Sequence, residues 1–232
     1  MFYFDWTYIY IVGPALLFSL WASARVKSTF SKYRRVISSR GITGAQAAAA
    51  LLDAHGINDV SIDTIGGSLS DYYDPTKKVV KLSVYNDTSV AGIGVACHEI
   101  GHAIQHAENY FPVKIRAAIV PVTNFGARIS VPLILLGLIL SSLSYTWYSL
   151  VYIGIMCFGL SAVFQLVTLP VEFNASRRAM KGIRELGLLN DEELMGAGKV
   201  LKAAALTYVA ALAVALAQLF RLLLIFGGGR RD

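Results

Sequence analysis

Polarity along this chain alternates between long charge-free windows and charged segments. Trp6–Ala24 holds 19 residues without a charge, Ile129–Val171 holds 43 and Ala203–Phe220 holds 18. A helix rises about 1.5 Å per residue and the hydrocarbon core is roughly 30 Å thick, so about 20 apolar residues cross it once. The longest window is therefore two spans, with the polar stretch Ser141–Tyr145 as the turn between them. The pattern predicts transmembrane helices near residues 5–24, 127–143, 146–169 and 203–226, the middle two forming a hairpin over 127–169. Trp147 and Tyr148 stand where interfacial aromatics belong. The last window is alanine-rich and holds Gln218 and is followed by Arg221, which also suits a helix packed partly within protein.

The intervening segments, 25–126 and 170–202, read as a small α+β domain in two pieces. Thr43-Gly44-Ala45-Gln46 has the form of a capping box, Ala47–Ala54 favours helix, and Gly56 stops it. Val60–Asp63 alternates as a strand does, and Val79–Val84 reads as a second. Gly66-Gly67 and Asp74-Pro75 bound a loop between them. Asn86–Ser89 offers N-caps for a helix over the apolar run Val90–Ala107.

Composition agrees with the spans. Apolar residues make up 55% of the 232 positions and charged residues 16%, below the quarter usual in soluble domains, and mean hydropathy is +0.55. Lys and Arg exceed Asp and Glu by 21 to 15. Of those basic residues, 12 lie between Arg25 and Arg128 and 6 between Glu172 and Lys202, whereas Arg221, Arg230 and Arg231 fall in or beyond the last span. The positive-inside rule makes the face with 18 of them cytoplasmic. No aromatic-basic module accompanies them, which argues against nucleic acid. Ala22-Ser23-Ala24 resembles a cleavage site, but Asp5 precedes the first span and Arg25 follows it, so an uncleaved anchor is the reading adopted. Cys97 and Cys157 form no disulfide framework and read as small buried apolar residues.

The chemistry sits in His98-Glu99-Ile100-Gly101-His102. Residues at i and i+4 share one helix face, so both imidazoles reach one zinc ion. Glu99, beside the pair, is placed to take a proton from the attacking water. His106 continues the series, but each further step of four residues drifts about 40° and climbs about 6 Å, too far for convergence on one ion; it reads as a supporting or surface residue. His55 suits a helix C-terminus.

A third ligand must lie on the same membrane face, hence an even number of spans from His98. The segment Leu169–Arg178 meets this condition. Pro170 reads as the first residue of a new helix and Glu172 as a first-turn carboxylate, the candidate third ligand. Glu185 and Asp191–Glu193 read as solvated.

The stretches Gly67–Pro75, Val95–Gln105 and Leu169–Arg178 resemble the YugP-like neutral zinc metallopeptidases of bacterial membranes. More distantly the chain is similar to the integral-membrane gluzincins, whose E-x-x-x-D pattern implies Glu172 as ligand. Here Ser176 holds the place of the Asp, so a carboxylate contact to a ligand His would come from elsewhere. Tyr72 stands where relatives carry His.

The expectation is an integral-membrane, mainly α chain with about four transmembrane helices and a small α+β gluzincin-type domain. His98, His102 and Glu172 would hold one zinc ion and Glu99 would act as general base in hydrolysing membrane or membrane-proximal proteins. The expected setting is the cell membrane, multi-pass, with the active site cytoplasmic. Partners would be a protein or peptide substrate and the lipid bilayer; a regulatory partner or homo-oligomer is not legible. Tyr72, Tyr73, Tyr208 and Arg178 are alternative oxyanion donors, and Val79–Val84 is a candidate strand for pairing with substrate. The rival reading is a non-catalytic zinc-binding membrane scaffold, for which Glu99 would have no use.

Overall fold

The computed structural model describes residues 5–227, so Arg230 and Arg231 lie outside the described residues. Element order follows local chemistry. Thr43 and Gln46 exchange the two bonds of a capping box and open helix α2 (Gly44–Ala54). Gly56, at φ +65°, supplies the left-handed residue that ends it. His55 caps the same end, with Nδ1 2.9 Å from the Leu51 carbonyl. Ser89 accepts from the Gly92 N–H and opens α3 (Val90–Ala107), the helix of the His-Glu-x-x-His motif.

Between these helices along the chain come the strands of a sheet, β1 (Ser61–Thr64), β2 (Tyr72–Asp74) and β3 (Val79–Leu82), in the order β1-β3-β2. β1 runs parallel to β3, with Ser61 opposite Val79, and β2 runs antiparallel, with Tyr73 opposite Val80. The strand over 72–74 corrects the expected loop. Three residues are too few to show alternation, and the pairing with β3 is what makes them a strand. Asp71 ends the unit by accepting from Ser83 N–H at 2.6 Å and Ser83 Oγ–H at 2.7 Å.

Helix α1 spans Gly13–Arg34 after a π-helical turn at Tyr8–Val12, and α4 spans Phe111–Leu140. A 3-10 turn at Tyr145–Tyr148 precedes α5 (Ser149–Glu185), and α6 runs Asp191–Phe226. Among the described residues, the stretches Tyr8–Arg34, Phe111–Leu140, Tyr145–Glu185 and Asp191–Phe226 are long and apolar enough to cross a membrane. The fold is a mainly helical membrane chain with a small α+β domain. α5 and α6 run well past the apolar windows, and their polar ends pack in a protein core through Ala179, Ile183, Leu194 and Ala197.

One correction matters for the site. Helix α5 continues through Pro170 rather than starting there. Proline removes one backbone donor, but Val171, Glu172, Ala175, Ala179 and Ile183 beyond it are all buried. That packing outweighs the lost bond. Glu172 therefore sits mid-helix and owes nothing to a helix N-terminus.

The chain divides into two compact units. One comprises Ala22–Val113 and Pro170–Leu206. Its core surrounds α3, whose Ile93, Ile100 and Ile104 are fully buried among Leu51, Val80, Leu82, Ile183 and Ala197. Glu193 is also buried there, against the expectation of solvation: it accepts from the backbone N–H of Ser39 at 2.6 Å and of Asn190 at 3.0 Å. Cys97 is buried, and burial pushes its thiol up to about 12.

The other unit comprises Lys114–Leu169 with segments reaching to Trp21 and starting from Thr207. Arg221 pairs there with Asp5 and lies 5.1 Å from the centre of the Tyr8 ring, which is how an arginine near a span is accommodated. Cys157 is only partly buried, not the core residue expected. It lies in a span, where an apolar side chain meets lipid as readily as protein.

Candidate active site

Helical spacing places His98 and His102 on one face of α3, with ring centroids 4.9 Å apart. Glu172 comes to the same point from α5: its Oε2 lies 3.4 Å from His98 Nε2 and 3.6 Å from His102 Nε2. All three prospective ligand atoms fall within 4.8 Å of one another. Ligands about 2.0–2.1 Å from zinc in tetrahedral geometry are about 3.3–3.4 Å apart, so the two measured edges suit a zinc ion. As hydrogen bonds they are too long to be strong.

The other ring nitrogens are held from behind. His102 Nδ1 lies 3.0 Å from Gln105 Oε1. The amide of Gln105, fully buried, donates through Nε2 to the Val171 carbonyl at 2.8 Å and to Asn174 Oδ1 at 2.9 Å. With its NH₂ so committed, Oε1 must accept, which puts the proton on Nδ1 and leaves the Nε2 lone pair for a metal. Ser176 Oγ sits 3.1 Å from His98 Nδ1. The residue in the Asp position thus makes a contact of its own, through a hydroxyl rather than a carboxylate. Asn174 Oδ1 also accepts from Arg178 Nε at 2.7 Å, and Arg178 pairs with Glu108 at 2.6 Å.

Close helix contact makes the assembly possible. A Cβ placed on Gly101 would lie 2.4 Å from the Ala175 carbonyl oxygen. Glycine in the middle of the motif thus lets α5 approach far enough to deliver Glu172 and Ser176.

Electrostatics differ between the two carboxylates. Burial raises the Glu172 carboxyl, but the two imidazoles outweigh it and hold the group far below the ordinary carboxylate range. Burial pushes Glu99 up, the imidazoles oppose this, and Glu172 and Asp71 add to the rise. One carboxylate is thus held ionised, while burial shifts its neighbour toward the protonated form.

Several other candidates have partners of their own. His106 Nδ1 meets Tyr73 Oη at 3.3 Å, so both are occupied with each other. Arg178 is engaged by Asn174 and Glu108 and lies 5.7 Å from the centre of the Tyr110 ring. Tyr72 is exposed on β2. The substrate-strand expectation is overturned: β3 is central, flanked by β1 and β2, so its hydrogen-bonding groups are taken. The sheet edges belong to β1 and β2.

Gln105, Asn174 and Gly101 were not assigned roles from sequence. A glutamine inside the apolar run Ala103–Ala107 was the available signal, because a buried amide requires partners. Replacing it with leucine is expected to lower zinc affinity about 10–100-fold without removing a ligand. Competition with a fluorescent zinc chelator measures this, and unchanged affinity would dismiss the role.

Comparison with known proteins follows the same lines. A family model described as "Putative neutral zinc metallopeptidase" matches residues 8–227. The chain is 46% identical over 227 residues to the "Putative membrane protease YugP" of Bacillus subtilis (strain 168), covering 97% of this chain and 99% of that protein. No solved structure matches the chain.

Proposed function

The chain belongs to this neutral zinc metallopeptidase family, and from that membership we propose that it is a membrane-embedded zinc endopeptidase cutting membrane or membrane-proximal proteins. The observation carrying this reading is the convergence of His98, His102 and Glu172 beside a buried Glu99. His98 and His102 would hold one zinc ion through Nε2 and Glu172 through its carboxylate, a gluzincin-type set. Zinc, when bound, acidifies water toward neutrality and polarises a carbonyl.

The chain's own groups do the rest. Gln105 and Ser176 fix the imidazole orientations. Glu99 takes the proton of the attacking water and delivers it to the leaving amine, a transfer favoured by a carboxyl that burial raises above its ordinary value. The apolar packing around α3 keeps bulk water from the base. The 18 basic residues of the segments that bear the site support a cytoplasmic active face. The spans are those proposed from the charge-free windows, 5–24, 127–143, 146–169 and 203–226.

Chelation of the purified full chain in lipid nanodiscs is expected to abolish cleavage of an unfolded membrane-protein substrate such as detergent-denatured bacteriorhodopsin. Stoichiometric zinc restores it. Cleavage that survives metal removal rules the reading out.

A further inference from the structure

A groove of about 780 Å³ runs between α5 and α6 within the polar unit. Five charged residues line it: Arg177, Arg184, Lys199 and Lys202 are basic, and Asp191 alone is acidic. Arg177, Arg184 and Lys202 enter none of the ion pairs among the described residues. Apolar walls lie beside these cations, including Phe173, Met180 and Met195; Phe173 is 45% and Met195 60% exposed.

The position of the groove along the chain is informative. Phe173 follows closely on residue 169 and Ala205 falls just after residue 203, the proposed ends of two spans. Cationic groups and an exposed aromatic therefore meet where these helices leave the bilayer.

We propose that this groove is a binding site for an anionic phospholipid, its phosphate on Arg177 and Lys202 and part of its acyl chain along Phe173 and Met195. The proposal rests on the membrane spans assigned above. Basic pockets between membrane helices on the cytoplasmic side select acidic headgroups, and the apolar wall suits a molecule with a chain as well as a charge. An acidic peptide fits less well. Both walls are helices with their backbone groups bonded internally, so an extended chain finds no main-chain partners.

The test uses the full-length protein in detergent, read by native mass spectrometry with dioleoyl phosphatidylglycerol or dioleoyl phosphatidylcholine. Phosphatidylglycerol is expected to be retained at least tenfold better. Each neutralised cation is worth about fivefold, so Arg177→Gln with Lys202→Gln lowers retention about 25-fold. Arg177→Lys preserves most of it, and neutralising Lys77, which is in the turn between β2 and β3 and does not line the groove, changes it by less than twofold. Equal retention of the two lipids overturns the site. So does displacement of phosphatidylglycerol by inorganic phosphate or an oligoglutamate peptide, or a loss as large in the Lys77 control. Cleavage is not the readout, and extraction of the chain from membranes by alkaline carbonate separately reports a failure of the spans.

Discussion

Glu99→Gln is expected to leave zinc bound at unchanged stoichiometry and to cut hydrolysis by about 10²–10⁴-fold, the range for a lost general base. The substitution preserves volume and one carbonyl acceptor, so the buried position stays filled. It removes the group that takes the proton, and the amide has no replacement. Glu99 lies on the same turn of α3 as His98 but is not one of the three clustered ligand atoms. Zinc content and turnover are therefore expected to separate. Metal analysis beside a cleavage assay on the same preparation makes the comparison. Retained cleavage in the variant would remove Glu99 from the mechanism, whereas parallel loss of zinc would make it a ligand.

Gly101→Ala is expected to damage the site without touching any reacting group. The added methyl would stand 2.4 Å from the Ala175 carbonyl oxygen and 3.1 Å from its Cα. The obstacle is backbone, so relief requires α5 to move away from α3. Overpacking of this kind typically costs about 1–3 kcal/mol. The larger consequence is geometric, because α5 carries Glu172 against two histidines fixed on α3. A displacement near 1 Å is enough for roughly a 100-fold loss of rate, with zinc affinity falling as well. Zinc titration and the cleavage assay measure both, and a variant with wild-type zinc affinity would show that α5 does not need this approach.

The two helices flanking the sheet were legible because their signals are local. Thr43 with Gln46 and Ser89 before Val90 announce starts by side-chain bonds a few residues long. His98 and His102 share a face for the same reason, since helical periodicity alone places them. The short strand Tyr72–Asp74 carried no such signal, because its conformation is set by β3 across the ladder. Glu193 looked solvated in an acidic run, yet the backbone N–H of Ser39, 154 residues away, draws it into the core.

Pro170 shows the limit most sharply. Local rules start a helix there, and the burial of Val171, Glu172, Ala175, Ala179 and Ile183 continues one instead. Glu172 was identified from membrane-face counting and from the resemblance. The helix-terminus argument attached to it does not survive, and the carboxylate is held low by the histidines it faces.

By itself, the sequence determined the membrane character, the helix that bears the motif and the pair of imidazoles. Each follows from the apolar length of a window or from the 3.6-residue turn, quantities that need no distant partner. Tertiary structure alone decided that Glu172 reaches both histidines, that Gln105 and Ser176 orient them, and that Gly101 is the point of contact. Those facts depend on how closely α3 and α5 pack, and residues some 70 positions apart meet only when the core between them is filled.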